Sequence, residues 1–174
     1  MHNMFICNCL QKIFRHQTVT PVSDGREDVV EESERIVRFL LSPLHFKNGE
    51  LRSNAFNPTQ NSEDISVNRL ELLPIEQTKP IAKKMAANNP NHHYVGFALH
   101  TKGSAMSCGA KDVIPEPLED NEAHAEMKLG IVRVGQDISP ELQAIKDELT
   151  DKCKLLMDPD PNNDGWNGEE PIYP

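Results

Sequence analysis

The chain of 174 residues contains, at positions 36–43, the stretch Ile-Val-Arg-Phe-Leu-Leu-Ser-Pro. Residues 36–41 form a compact apolar run with branched side chains, which is typical of a buried β-strand. Pro43 ends this strand because proline lacks the backbone N–H that a sheet requires. Arg38 interrupts the run, so its guanidinium needs a hydrogen-bonding partner inside the fold.

Further strands are predicted on both sides of the chain's midpoint. Residues 65–72 alternate apolar and polar side chains, which predicts a half-buried strand, and residues 94–99 form a second apolar run. Residues 102–104 predict a turn that leads into a short strand near residues 105–108. Val113 and Ile114 predict one more short strand.

Two stretches have helical periodicity. Residues 74–87 predict a helix that ends at the Asn-Asn-Pro sequence that follows. Ser139 and Pro140 predict the start of a second helix, and apolar residues at helical spacing extend it to Leu156. Short strands mixed with two or three helices predict an α+β fold, in one domain with a small mixed or antiparallel sheet.

The net charge of −9 is distributed unevenly. Residues 1–20 carry +2, residues 21–34 carry −5 and residues 158–174 carry −5, so the middle is nearly neutral. This acidity argues against broad binding to nucleic acid phosphates but leaves room for a local anion site. No apolar run approaches the ~20 residues that a membrane-spanning helix needs.

Composition divides the chain into three parts. Residues 1–34 form an N-terminal arm and linker, residues 35–157 form the α+β domain, and residues 158–174 form an acidic tail whose composition predicts disorder. The arm is a short amphipathic anchor, a loose arm or a short helix packed on the domain. In the tail, residues 160–165 match the first half of a calcium loop, but Pro171 stands where that loop needs a bidentate glutamate.

The cysteines give no zinc pattern. Cys7 and Cys9 are too close together for a structural zinc pair, and Cys108 and Cys153 each stand alone. Reduced thiols in a cytoplasmic protein are therefore the simpler interpretation. The chain also has no Walker loop, no dinucleotide-binding glycine motif and no nucleophile elbow, so we expect no cofactor and no metal site.

Three polar residues lie at the ends of predicted elements, where functional sites usually form. His45 and His124 are candidate catalytic residues because histidine exchanges a proton near neutral pH. Arg69 is a candidate ligand-binding residue that would hold a carboxylate or phosphate, with Arg38 and Ser42 in support. The expected ligand is an anionic small molecule, a nucleotide or an RNA phosphate. The alternative is that each residue is a structural hydrogen-bonding group.

A second hypothesis assigns no chemistry to the chain. In it, the protein is a non-enzymatic interaction module whose acidic tail and N-terminal arm bind a partner protein.

The sequence His124-Ala125-Glu126 resembles the His-Ala-Glu motif of zinc-dependent cytidine and nucleotide deaminases. In that family the histidine binds zinc and the glutamate moves protons. The two cysteine ligands that the family places downstream are absent here, and one histidine with one thiolate does not hold a catalytic zinc. The resemblance implies at most a degenerate deaminase-like protein.

A longer resemblance covers residues 36–157. The sequence from Val37 to Phe56, the Ser-Val-x-Arg strand at residues 66–69 and Ala-His-Ala at residues 123–125 are similar to a pattern in a group of small bacterial proteins. The resemblance implies one compact domain in a bacterial cytoplasm and no particular activity.

Overall fold

The computed structural model describes residues 29–174, in which six strands form an antiparallel sheet and two short strands form a separate hairpin. In sheet order the six are β6 (Asp112–Pro115), β7 (His124–Lys128), β4 (Asp64–Arg69), β1 (Arg35–Ser42), β5 (His93–Thr101) and β8 (Lys154–Met157). The hairpin joins β2 (Phe46–Lys47) to β3 (Glu50–Leu51). The helices are α1 (Ile75–Ala87), α2 (Lys102–Ser107) and α3 (Pro140–Lys152). The predicted single α+β domain is confirmed.

The central strand, β1, is buried on both faces, which explains its nearly continuous apolar sequence. Side chains alternate between the faces of a strand. Ile36 and Leu40 therefore pack into one core with α2 and α3, whereas Val37 and Phe39 pack into a second core with α1.

β1 is paired unequally with its two neighbours. It pairs with β5 from Arg35 to Ser42, with a register shift between Leu40 and Leu41. With β4 it pairs only at Ile36 and Val37. The two strands therefore separate after Val37, and other groups must satisfy the backbone polar atoms that the ladder no longer pairs.

Three local predictions are wrong. Residues 102–107 form α2 instead of a turn and strand, because the Thr101 hydroxyl accepts a hydrogen bond from the Ser104 N–H and caps a helix there. The second predicted helix ends at Lys152, and residues 154–157 form β8 by pairing with β5. The strand β7, at residues 124–128, is not among the predicted strands.

Residues 158–174, for which the sequence predicts disorder, pack against the domain. We call them the C-terminal strap. Trp166 lies against Phe97, with ring centroids 5.6 Å apart, and Arg35 donates a hydrogen bond to the Pro171 carbonyl. The prediction of disorder is wrong for an electrostatic reason: lysines of α1 bind the strap's carbonyl and carboxylate oxygens and hold it on the domain.

Between residues 29 and 174, no helix is both long and apolar enough to cross a bilayer. The predictions for the N-terminal arm and for Cys7 and Cys9 fall outside the described residues.

Candidate functional site

Arg38 and His45 lie together where β1 and β4 separate. Arg38 donates hydrogen bonds from Nε to the Ala55 carbonyl (3.1 Å) and from Nη1 to the Ser66 carbonyl on β4 (2.8 Å). The imidazole Nδ1 of His45 lies 3.2 Å from the Phe39 carbonyl oxygen and accepts from the Leu41 N–H at 3.3 Å. Arg38 thus satisfies one carbonyl of β4, and His45 satisfies one N–H of β1, beyond the point where the β1–β4 ladder ends.

Burial changes the proton affinity of both groups. It lowers the pKa of Arg38 to about 10. Burial, followed by the positive charge of Arg38, lowers the pKa of His45 to about 3. His45 is therefore neutral at neutral pH and poorly matched to general acid–base work there. Ser42, the other predicted supporting residue, is half-buried at the end of β1, opposite His93.

Arg69 is committed to a buried ion pair. Its Nε lies 2.6 Å from Oε1 of Glu34 and its Nη2 lies 3.1 Å from Oε2. The two side chains are only 5% and 7% exposed. This bidentate geometry is the strong form of an arginine–carboxylate contact. The Glu34 carboxylate therefore takes the place that the sequence assigned to an anionic ligand.

His124 is fixed by the backbone of a nearby turn. Its Nδ1 lies 2.7 Å from the Glu116 carbonyl oxygen, so the ring N–H donates to that oxygen. Next to it, the side-chain amides of Asn68 and Asn121 exchange hydrogen bonds of 2.9 and 3.2 Å. These contacts hold the turn at residues 116–123 against the end of the sheet.

The structure does not gather the three residues that the sequence singled out. Arg69 pairs with Ile36 near the start of β1, whereas His45 contacts that strand three to five residues later, which is about 10–16 Å along a strand. His124 lies opposite Asn68 on β4 and shares its face of the sheet. Arg69 is the next residue after Asn68, so its side chain points to the other face. Of the predicted site residues, only Arg38 and His45 lie close together, and Arg69 and His124 lie elsewhere on the sheet.

The calcium-like sequence at residues 160–165 holds two lysine ammonium groups. Lys79 Nζ donates to the carbonyls of Asp160 (2.9 Å) and Gly165 (2.7 Å). Lys83 Nζ, one turn later on α1, donates to the carbonyls of Asn162 and Asn163. In the part of the chain from residue 29 onward, no group of three His, Cys, Asp or Glu side chains is placed to hold a metal ion.

A surface cavity of about 340 Å³ lies between α1 and the turn at residues 116–123; we call it the α1 groove. This volume is at the lower end of the range of about 300–1,000 Å³ for ligand pockets. It is lined by Leu73, Gln77, Ile81, Glu119, Asp120, Asn121 and Glu122.

The α1 groove is lined by two apolar side chains, Leu73 and Ile81, which we call its floor, and by three acidic ones, Glu119, Asp120 and Glu122, which we call its rim. Leu73 and Ile81 are half-buried, whereas Glu119 and Glu122 are exposed and form no ion pair within residues 29–174. Asp120 is paired with Lys84 of α1 at 2.6 Å. Two further leucines, next to the lining residues in sequence, are exposed: Leu72 (44%) and Leu118 (47%).

Arg69 organises this groove through its backbone. Its N–H donates to the Ala123 carbonyl (2.9 Å), at the end of the turn, and its carbonyl accepts from the Leu73 N–H (3.1 Å). The turn at residues 116–123 and the segment that leads into α1 are thus both hydrogen-bonded to one residue at the end of β4. Sequence reasoning missed the groove, because the only signal was the acidic residues at positions 119, 120 and 122, and nothing local places that loop against α1.

A second arrangement that the sequence did not indicate joins α2, α3 and the strap. The Nε2–H of His100 donates to the Leu149 carbonyl (2.9 Å), and its Nδ1 lies 3.2 Å from Oγ of Ser104, which also contacts the Tyr173 hydroxyl. Burial lowers the pKa of His100 to about 4. The N–H groups of Lys102 and Gly103 donate to the carbonyls of Glu34 and Glu32, and the side chains of His100 and Ser104 link β5 to α3 and to the strap.

No family model matches this chain, and neither a curated protein nor a solved structure matches it.

Proposed function

We propose that the protein is a non-enzymatic binding module whose α1 groove takes a basic, partly apolar segment of a partner protein. The observation that carries the proposal is the composition of the groove: half-buried Leu73 and Ile81 line the same cavity as the exposed carboxylates of Glu119 and Glu122. Exposed apolar surface rimmed by polar groups is typical of protein interaction sites.

The predicted catalytic residues favour binding over catalysis. His45 and His124 are engaged with backbone groups, and Arg69 is engaged with Glu34. Their separation along the sheet leaves no arrangement in which they act on one bond. The deaminase-like alternative gains no support, because Glu126 is paired with Lys128 at 2.6 Å. The acidic tail is not proposed as the binding element, since its residues pack on the domain.

The two parts of the groove have different roles. Complete burial of one leucine-sized side chain stabilises a complex by about 1.5–3 kcal/mol, so partial burial of a partner's apolar side chain against Leu73 and Ile81 adds a part of that amount. An exposed ion pair contributes only about 0.2–1 kcal/mol, so the rim chiefly selects basic segments and steers their approach.

The proposal is tested with a fluorescent, acetylated 14-residue peptide of leucine and lysine, designed to be amphipathic, whose anisotropy reports binding to the full chain. The double variant E119Q/E122Q removes two rim charges and should raise the Kd about tenfold. The control E50Q/E141Q removes the same charge at exposed positions outside the groove and should leave the Kd unchanged. An equal loss in both variants would show that the peptide responds only to net charge, and the proposal would fail.

A bacterial cytoplasmic location belongs to this proposal. Cys108 and Cys153 are both free thiols, which supports a reducing compartment. Burial raises the pKa of Cys153 to about 12, so this thiol is unreactive at neutral pH.

Arg38 supports a second candidate function, the binding of a small anion. Its guanidinium donates to two carbonyls, and no carboxylate within residues 29–174 pairs with it. A titration with inorganic phosphate, followed by the ¹H–¹⁵N resonances of residues 38–45 and 55, tests this candidate. A saturable shift that is lost in Arg38→Lys supports it, because lysine keeps the charge but not the bidentate fork. Even a very weak site, with a Kd on the order of 20 mM, is half-occupied at that phosphate concentration, so the absence of any shift there contradicts this candidate.

A further inference from the structure

We propose that a second surface cavity, formed in part by the C-terminal strap, binds a small quaternary ammonium compound. We call it the strap cavity. It has a volume of about 240 Å³ and is lined by Arg35, Leu70, Pro74, Ile75, Glu76, Trp166, Glu170 and Pro171. It shares no lining residue with the α1 groove, so this inference goes beyond the proposed function.

The strap cavity has an aromatic and aliphatic lining. Leu70 and Ile75 are buried residues of the domain, and Trp166 of the strap is half-buried. The indole packs on Phe97, with ring centroids 5.6 Å apart, so the domain holds this ring in place. Among aromatic side chains, tryptophan attracts cations most strongly. The lining is therefore suited to a cation that carries hydrocarbon groups.

Two carboxylates line the strap cavity without a partner. Glu76 stands in the first turn of α1, and Glu170 belongs to the strap. Both residues are exposed, and neither carboxylate forms an ion pair within residues 29–174. Both carboxylates therefore remain available to a cation that enters from solvent.

The basic side chains at this place are neutralised by other carboxylates. Arg35 is the only basic residue that lines the cavity, and its Nε and Nη2 donate to the two carboxylate oxygens of Glu71, at 2.7 and 3.0 Å. Lys154 donates to the backbone carbonyl of Glu170, but its ion pair is with Glu169, at 3.3 Å. The strap cavity is therefore net anionic, which favours a cation over an anion.

The size and the lining of the cavity select the class of cation. Its volume lies below the range of about 300–1,000 Å³ for ligand pockets, so the ligand is compact. A metal ion needs several ligands, and among residues 29–174 no three His, Cys, Asp or Glu side chains are grouped to hold one. A trimethylammonium group brings a charge for the carboxylates and methyl groups for the indole. It also has no N–H that requires an acceptor.

Choline is the probe, because Trp166 is the only tryptophan and its fluorescence reports on the cavity directly. The full chain is titrated at constant ionic strength with choline and with 3,3-dimethyl-1-butanol, an uncharged analogue of the same shape. We expect a saturable change in emission with choline, with a Kd on the order of 1 mM, and at least about fivefold weaker binding of the alcohol. Equal binding of both compounds, or no saturable change with choline up to roughly 50 mM, would overturn the inference.

The carboxylates are tested with the double variant E76Q/E170Q, which should raise the Kd for choline about tenfold. The control E50Q/E141Q removes the same charge at exposed positions outside the cavity and should leave the Kd unchanged. It is closely matched, because Glu141 stands in the first turn of α3 as Glu76 does in α1. Equal losses in both variants would mean that choline responds only to net charge, and the inference would fail.

The indole is tested by replacing Trp166 with phenylalanine or leucine and following the choline methyl resonance by ¹H NMR. Phenylalanine keeps an aromatic ring, whereas leucine keeps only an apolar side chain. We therefore expect the affinity to fall in the order tryptophan, phenylalanine, leucine. Equal affinity in the two variants would overturn the inference.

A last experiment separates a free ligand from a lipid headgroup that carries the same cation. The full chain is sedimented with phosphatidylcholine vesicles, and we expect it to stay in the supernatant. Cosedimentation that is lost in E76Q/E170Q would assign the strap cavity to a membrane surface and overturn its assignment to a free compound.

Discussion

The ammonium of Lys79 lies 2.8 Å from the carboxylate of Asp158, and these side chains are only 1% and 0% exposed. The same ammonium donates hydrogen bonds to the carbonyls of Asp160 and Gly165. This buried cation anchors the first half of the C-terminal strap to α1 and explains why a polar, acidic segment packs on the domain.

Lys79→Met should lower the free energy of unfolding by about 3–5 kcal/mol, because it leaves the Asp158 carboxylate buried and unpaired. Urea denaturation measures this loss. Lys83→Met is the matched control, since Lys83 is paired with the exposed Asp164, and it should cost less than about 1 kcal/mol. Equal effects of the two substitutions would contradict the role assigned to Lys79.

Trp166 reports directly on the strap, because it is the only tryptophan and it packs on Phe97. In Asp158→Asn, below the unfolding transition, we expect the tryptophan emission to shift to longer wavelength and acrylamide quenching to increase. Lys83→Met should leave both signals unchanged. An unchanged spectrum in Asp158→Asn, with circular dichroism showing a folded domain, would mean that the strap is held by other contacts.

Arg69→Ala separates the sequence-based role of this residue from the one in the structure. A ligand-binding arginine would lose its ligand and keep its melting temperature. The buried pair with Glu34 predicts instead a loss of about 3–5 kcal/mol, visible as a large drop in melting temperature by calorimetry. The double variant Glu34→Leu with Arg69→Met should recover much of that loss, because it removes both charges. No drop in Arg69→Ala would contradict the structural role.

The buried His100 should make the protein sensitive to acid. Its pKa falls from about 6.5 in the unfolded chain to about 4 in the fold, because burial disfavours the charged ring. Between these values the unfolded chain binds a proton that the folded chain does not, so stability falls as the pH falls from 6.5 to 4. The contribution of His100 alone lowers the free energy of unfolding by about 3 kcal/mol over this pH range. Urea denaturation at several pH values should show a shallower slope for His100→Gln, and an unchanged slope would contradict the assignment.

Local sequence patterns predicted the elements whose ends are set locally. The apolar run of β1 and the Ser139-Pro140 start of α3 are examples, and the Ser139 hydroxyl does accept from the Leu142 N–H. The end of α3 could not be predicted, because apolar residues keep a helical spacing up to Leu156. The chain leaves the helix after Lys152 so that residues 154–157 pair with β5, and a side chain at position 96 would clash with the Leu156 carbonyl oxygen.

The site was harder to predict than the fold, because it depends on which ends of elements meet. The sequence showed that Arg38 needs a partner, and two carbonyls supply it. It also drew attention to Arg69, but not to the buried Glu34 that neutralises it. The strap was wrongly predicted to be disordered because its composition is typical of disordered segments. The residues that hold it, Lys79 and Lys83, lie about 80 residues earlier in the chain, and no local pattern indicates them.

The central claim, that the α1 groove is the binding surface, is tested most directly by titrating ¹⁵N-labelled full chain with the unlabelled leucine–lysine peptide. We predict saturable shifts of the backbone amides at residues 72–81 and 118–122, and none in β8 or the strap. Shifts centred on the strap or on residues 38–45, or no saturable shift, would contradict the account.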